Sequence, residues 1–346
     1  MKRKKSTKKN LTLFRFLLSS LFLLMLFWGG KEGFSSPEIV SSDQPITLHA
    51  TQCQDDLRKL FLDAIADAKR SIFVVIYALN DDKLIRALNK RAKEGIEISV
   101  YHDPSTSQKG FQRLKSPIQV IPIQVAGLAH QKILITDEEK VWIGSANWTP
   151  DSLRVHANLV VGIQSKNLAQ IIFHPELYNR LKLNDQNLEF WHSPERGREG
   201  LARLLSLIEG AQKTIRVAMY TWTHPELTQA IIHAHKRGVH VEVVMDNSSA
   251  QGVSKKAFQA LYRGGIAVFA SSGYELLHHK FAWIDDHILV HGSTNWTRSA
   301  FARNHDCFIV LDPLSNEQVV KMRRLWKAIY ATRSLEQNQF LVELAA

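Results

Sequence analysis

The sequence predicts an α/β protein made of two like halves, and three observations carry that prediction. The first is size: 346 residues correspond to about two domains at roughly 150 residues each. The second is internal duplication. Residues 68–103 lie without a gap over 211–246 at a spacing of 143, and 130–148 lie over 278–296 at a spacing of 148. A period that long signals two whole domains rather than a solenoid. The third is local order, because strand–helix–strand patterns within about 30 residues indicate parallel crossovers. With 45% hydrophobic and 22% charged residues, and only 17 Gly and 10 Pro, collagen and wholesale disorder are excluded.

The elements follow in chain order. Leu57, Leu60, Phe61 and Ile65 keep helical spacing, and Ile72 to Tyr77 is a short β-rich run. Leu84, Leu88 and Ala92 mark a helix ending at Gly95, followed by a strand from Ile96 to Tyr101. Segments 104–116 and 247–256 read as exposed loops, and the connector turns from helical to polar. In the second half Thr223 is the expected N-cap, with Pro225 in the first turn. Ser315 and Gln318 form a capping box that opens a C-terminal helix. The chain thus divides into an N-terminal segment (1–35), a first lobe (45–165), a connector (166–188), a second lobe (189–335) and a tail (336–346).

Net charge of +11 suggests a polyanion partner until its location is counted. Seven basic residues and no acid fall within 1–30, leaving +4 on the remainder, so the folded part is only mildly cationic. The stretch from Phe16 to Gly30 carries no charge. A basic region followed by an apolar one is the layout of an export signal or retained anchor, with the rest of the chain directed outward. Cys53 and Cys307 make no metal pattern, and both a bridge and two buried thiols are compatible with the sequence.

Chemistry concentrates in two segments, HQKILITDEEKVWIGSANWT and HHKFAWIDDHILVHGSTNWT. Both read His-x-Lys-x4-Asp: His130, Lys132 and Asp137, then His278, Lys280 and Asp285. Both continue into Gly-Ser-x-Asn-Trp-Thr, with Ser145 and Asn147 in the first and Ser293 and Asn295 in the second. On a strand, residues two apart share a side, so each His faces the pocket with its Lys. Imidazole serves as nucleophile or proton donor near neutral pH, and Lys supplies compact positive charge for phosphate oxygens. Ser and Asn are expected to add neutral donors, and Gly to permit close backbone approach. The set suits a phosphoryl transition state, in which electrostatic stabilisation usually lowers the barrier more than any other effect. Asp137 and Asp285 also fit turns that close hairpins. Trp148, Trp296, Tyr77 and Tyr220 read as packing residues, and His156, His287, His291 and His305 as ordinary histidines.

These paired motifs closely resemble the phospholipase D superfamily over residues 56–330. The resemblance implies two tandem phospholipase D-like lobes, each a mixed sheet flanked by helices, related by a pseudo-twofold axis with the active site between them. It further implies a phosphohistidine intermediate, one His attacking phosphorus while the other protonates the leaving oxygen, with no metal or cofactor. The second motif is similar to the endonuclease and cardiolipin-hydrolase branch, which forms its site across a homodimer. With both motifs in one chain, a monomer is expected here.

An acid commonly follows the Gly-Ser motif in this superfamily. The second half has Asp306, whereas the aligned residue of the first half is the neutral Asn158. If each partner serves the His of its own half, Asp306 raises the pKa of His278 and suits it to donate a proton, leaving His130 to attack. The leading expectation is an exported, membrane-associated phospholipase D acting on a phospholipid head group. A nuclease acting on DNA or RNA is the alternative, favoured by Lys255, Lys256 and Arg263 near the site loop, and a cardiolipin synthase-like transferase stands third.

Overall fold

The computed structural model describes residues 45–174, 180–272 and 275–333. The expected export segment at 1–35 and tail at 336–346 lie outside the described residues. Among the described residues, no helix is long and apolar enough to cross a membrane.

Seven strands build the first sheet: β1 (Ile46–Ala50), β2 (Ser71–Ile76), β3 (Glu97–His102), β4 (Gln119–Pro122), β5 (Lys132–Thr136), β6 (Lys140–Gly144) and β7 (Leu159–Gln164). Eight build the second: β8 (Arg180–Leu183), β9 (Gln186–His192), β10 (Thr214–Met219), β11 (His240–Met245), β12 (Ala267–Ala270), β13 (Lys280–Ile284), β14 (Ile288–Gly292) and β15 (Cys307–Asp312). The orders are β1-β7-β6-β5-β2-β3-β4 and β12-β11-β10-β13-β14-β15-β9-β8. In each, three parallel strands join an antiparallel set, and the junction repeats to the residue: Ile76 pairs with Lys132 as Met219 pairs with Lys280. The duplicated sequence is therefore a duplicated mixed α/β lobe.

Alternation along the strands explains the layering. Ile133 and Ile135 join a central core with Phe281 and Trp283, whereas Leu134 packs outward beneath helices Leu57–Asp67 and Asp82–Lys93. Ala282 and Ile284 likewise face the outer core under Gly197–Gly210 and Pro225–Lys236. Every residue of β5 and β13 is buried, because both faces of each strand are covered. Helix Asn316–Ala331 contributes Met322, Leu325, Trp326 and Ile329 to the central core. Ser315 and Gln318 form its capping box, as the sequence predicts.

Three local expectations need correction. The helix Pro225–Lys236 is capped by His224 rather than Thr223, without a side-chain bond; at the matching place in the first half Asp81 accepts from Lys83 and Leu84 N–H. Segments 104–116 and 247–256 are not plain loops. Phe111, in a short helix Gln108–Phe111, is buried with its ring stacked 4.0 Å from that of His102, and Asp246 caps a helix Asn247–Gln251. The polar part of the connector carries β8, paired to β9 at the sheet edge.

Candidate active site

His130 and His278 stand just ahead of β5 and β13, each 7% exposed. Their approach segments run beside the opposite half: Ala129 bridges His305, and Ala157 bridges Leu277. The His130 N–H donates to the His305 carbonyl at 2.7 Å, and the Ala157 N–H to the Leu276 carbonyl at 2.9 Å. That crossing decides the side-chain partners. His130 Nδ1 meets Asp306 Oδ1 at 2.8 Å, and His278 Nδ1 meets Asn158 Oδ1 at 3.0 Å. The pairing joins residues 176 and 120 apart in sequence. It overturns the expectation that each acceptor serves its own half, and with it the reasoning that made His130 the nucleophile and His278 the acid.

The Gly-Ser-x-Asn-Trp-Thr motif is largely scaffold for those acceptors. A Cβ on Gly144 would meet the Leu159 carbonyl at 2.4 Å, and one on Gly292 the Cys307 carbonyl at 2.2 Å, so glycine is needed for strand contact rather than for approach of a ligand. Ser145 Oγ donates to Asn158 Oδ1 at 2.7 Å, and Ser293 Oγ to Asp306 Oδ1 at 2.7 Å. Both serines are fully buried, and their hydroxyl protons are committed to these bonds instead of to a phosphate. Asn295 Oδ1 accepts from Thr221 N–H at 3.2 Å; Asn147 Oδ1 is buried without a partner. Trp148 and Trp296 pack, the first against Phe61 at 5.3 Å and the second against Trp222 at 4.3 Å. Thr149 and Thr297 cap the short helices that lead to Asn158 and Asp306.

Lys132 and Lys280, 4% and 2% exposed, donate to the carbonyls of His130 and His278, the second at 2.8 Å. Burial pushes Lys132 down to about 7 and Lys280 well below its ordinary range. Burial also lowers both histidines, with Lys132 as the next cause for His130 and Lys280 for His278. Asp306 partly restores the cationic form of His130, whereas His278 feels Lys280, Lys132, His130 and His156 together and falls further. Charge from each half thus reaches the imidazole of the other. An arriving phosphodiester anion would reverse these depressions, since a nearby opposite charge favours the cationic forms.

Asp137 and Asp285 do not join the site. Each follows the far end of its five-residue strand, roughly 17 Å of extended chain from its Lys. Asp137 accepts from the backbone N–H groups of Lys69, Arg70 and Ser71, and Asp285 from those of Gln212, Lys213 and Thr214. They fasten the hairpin turns to the starts of β2 and β10, which is a structural duty. Cys53 and Cys307 are buried free thiols. His291 is wholly buried, its Nε2 3.0 Å from the Leu159 carbonyl oxygen.

Four site residues escaped the motif reading. The rings of Tyr77 and Tyr220 lie 5.1 and 4.9 Å from those of His130 and His278, and the lysine Nζ atoms sit 5.1 and 4.8 Å from the same tyrosine centroids. These rings therefore wall the site and hold the ammonium groups by cation–π attraction. Asp103 and Asp246 accept from Ala129 and Leu277 N–H at 2.7 and 3.1 Å, fixing the backbone directly before each His. All four are identical between the aligned halves, the signal that could have singled them out.

Comparison with known proteins agrees with this arrangement. The family described as "Cardiolipin synthase, PLD-like domain" matches twice, at residues 61–173 and 204–326, over more than half the chain. A mitochondrial cardiolipin hydrolase of Chlamydomonas reinhardtii is 34% identical over 131 residues, covering 37% of this chain and 56% of that protein. A phospholipase D of Rickettsia bellii is 30% identical over 115 residues, covering 32% and 57%. The chain therefore spans little more than half the length of these relatives. Among solved structures, the phosphatidylserine synthase of Haemophilus influenzae superposes with a TM-score of 0.66 over 84% of this chain and 87% of its own, at 13% identity, a likeness of fold. Two matched copies, each bearing its own His-x-Lys-x4-Asp motif, make the chain a member of the phospholipase D superfamily.

Proposed function

We propose that the protein hydrolyses phosphodiesters in the phospholipase D manner, releasing the head group of a phospholipid through a phosphohistidine intermediate. The observation that carries this reading is the crossed pairing: two buried imidazoles, each backed by an acceptor from the opposite half and flanked by a buried lysine. One imidazole attacks phosphorus, the other protonates the leaving oxygen, and the lysines stabilise charge developing on the non-bridging oxygens. The lipid substrate is supported by the names of the relatives and by the modest charge of the body, since nucleases draw affinity from many phosphate contacts. The basic and then apolar N-terminal sequence supports export and work at a membrane surface, by a single chain holding both motifs.

The test is to incubate the full chain with mixed phospholipid vesicles and, in parallel, with single-stranded DNA, in the presence of a chelator. Release of head-group alcohol with formation of phosphatidic acid, abolished by His130→Ala and by His278→Ala, is the expected result. DNA cleavage without lipid turnover would move the substrate to nucleic acid, and turnover of neither would contradict the reading.

A further inference from the structure

The two acceptors behind the imidazoles are nearly isosteric yet differ in charge, and each is fitted to surroundings that suit only itself. Asn158 Oδ1 accepts from Ser145 and faces His278, while its Nδ2 donates to the Ser152 carbonyl at 2.8 Å and lies 3.5 Å from the His156 carbonyl. Carbonyls only accept, so they fix the orientation of the amide. The Oδ1 atom is thereby left toward His278, whose Nδ1 must be the protonated nitrogen. In the other half Asp306 Oδ1 takes the same two kinds of partner, but Oδ2 accepts from Asn304 Nδ2 at 3.1 Å. The position aligned with Asn304 is His156, which presents its carbonyl instead of a donor. A carboxylate at 158 would thus point an oxygen at the Ser152 carbonyl. The asymmetry is built into both pockets.

We propose that Asn158 makes the site one-directional: it holds His278 as a neutral imidazole that attacks phosphorus, while Asp306 keeps the resident proton on His130 for the leaving oxygen. This rests on the phosphodiesterase reading above. The charged groups bearing on His278 are Lys280, Lys132, His130 and His156, all of one sign; those on His130 are Lys132, Lys280 and Asp306. In the first step the His278 Nε2 lone pair forms the P–N bond, the P–O bond to the leaving alcohol breaks, and the His130 Nε2 proton moves to that oxygen. In the second, neutral His130 takes a proton from water, the water oxygen bonds to phosphorus, and the P–N electrons return to His278. One water is consumed, and both rings end as they began. Asn158 is a positioning residue in this scheme, acting through His278.

Rapid mixing with bis(p-nitrophenyl) phosphate tests the proposal, because its phenolate leaves without a proton. His130→Ala should give a burst of about one equivalent of nitrophenolate with the adduct on His278, and His278→Ala should give none. Asp306→Asn should lose on the order of 10²-fold more rate with an alkyl diester than with the nitrophenyl diester, the scale of general-acid catalysis; a merely structural role would lower both alike. Asn158→Asp should move the ascending limb of the pH profile to higher pH. An adduct on His130 in the His278→Ala variant would overturn the assignment, showing that the carboxylate matters more to a cationic phosphohistidine than to the acid. Absence of any nitrophenolate release by the unaltered protein would instead contradict the phosphodiesterase reading. Histidine ¹⁵N resonances give an answer free of turnover: His130 should hold its second proton to higher pH than His278, and the reverse order would sink the proposal.

Discussion

The two lobes share a register and differ in wiring. Strand pairing beside the two histidines is identical, with Ile76 against Lys132 and Met219 against Lys280, and both motif aspartates clamp three backbone N–H groups. Yet the first lobe supplies a neutral acceptor and the second a carboxylate, and the helix after each lobe's last strand runs eight residues in one, Lys166–Phe173, and sixteen in the other, Asn316–Ala331. Duplication has preserved what positions the reacting groups while letting the groups behind them diverge. Two copies of one site can thus take different parts in a single reaction.

The largest test of this comparison is at the lysines, where the halves should behave alike. Lys132→Met and Lys280→Met should each lower kcat/KM on the order of 10³-fold, in the range of removing one transition-state donor. Each should also raise Tm, because burying an ammonium opposes folding. The pH dependence follows in sign. Lys132 titrates near 7 when folded and near 10.4 when unfolded, so between those values the unfolded chain binds the extra proton and stability rises with pH. As pH rises through about 7 the folded protein loses that charge, and kcat/KM should fall. Calorimetry and kinetics across pH 6–10 check both trends; a fall in Tm for the methionine variants would contradict the account of lysines buried at a cost to folding.

A smaller effect is expected at the aspartates. Backbone donors hold Asp137 and Asp285 below the usual carboxylate range despite partial burial. Their stabilisation is therefore present above the unfolded pKa and lost as pH falls through the folded one. Asp137→Asn and Asp285→Asn should each lower Tm by a few degrees while kcat stays within about threefold. A collapse of kcat with unchanged Tm in either variant would return the aspartate to the chemistry.

Much of this was legible in the sequence because it is local. The strand from Ile72, the helix through Leu84 and Leu88, the Ser315 capping box and the twin motifs depend on neighbours within a few residues. The crossed partners of His130 and His278 were not legible, because they arise from strand ends 120 to 176 residues apart that meet only when the sheets pack. Ser145 and Ser293 misled for a related reason: a hydroxyl in a phosphate-site motif reads as a ligand until the acceptor it already serves is known. Tyr77, Tyr220, Asp103 and Asp246 were visible as identities between the halves, but their duties depend on the ring and backbone contacts of the folded protein.

The central claim, that both halves close on one phosphorus, is tested most directly by crystallography with tungstate, a phosphate-shaped oxyanion. A single tetrahedral ion within hydrogen-bond reach, about 3 Å, of His130 Nε2 and His278 Nε2, with both lysine Nζ atoms beside it, is the predicted result. Separate ions on the two histidines, or one bound to a single ring with the other turned away, would contradict it.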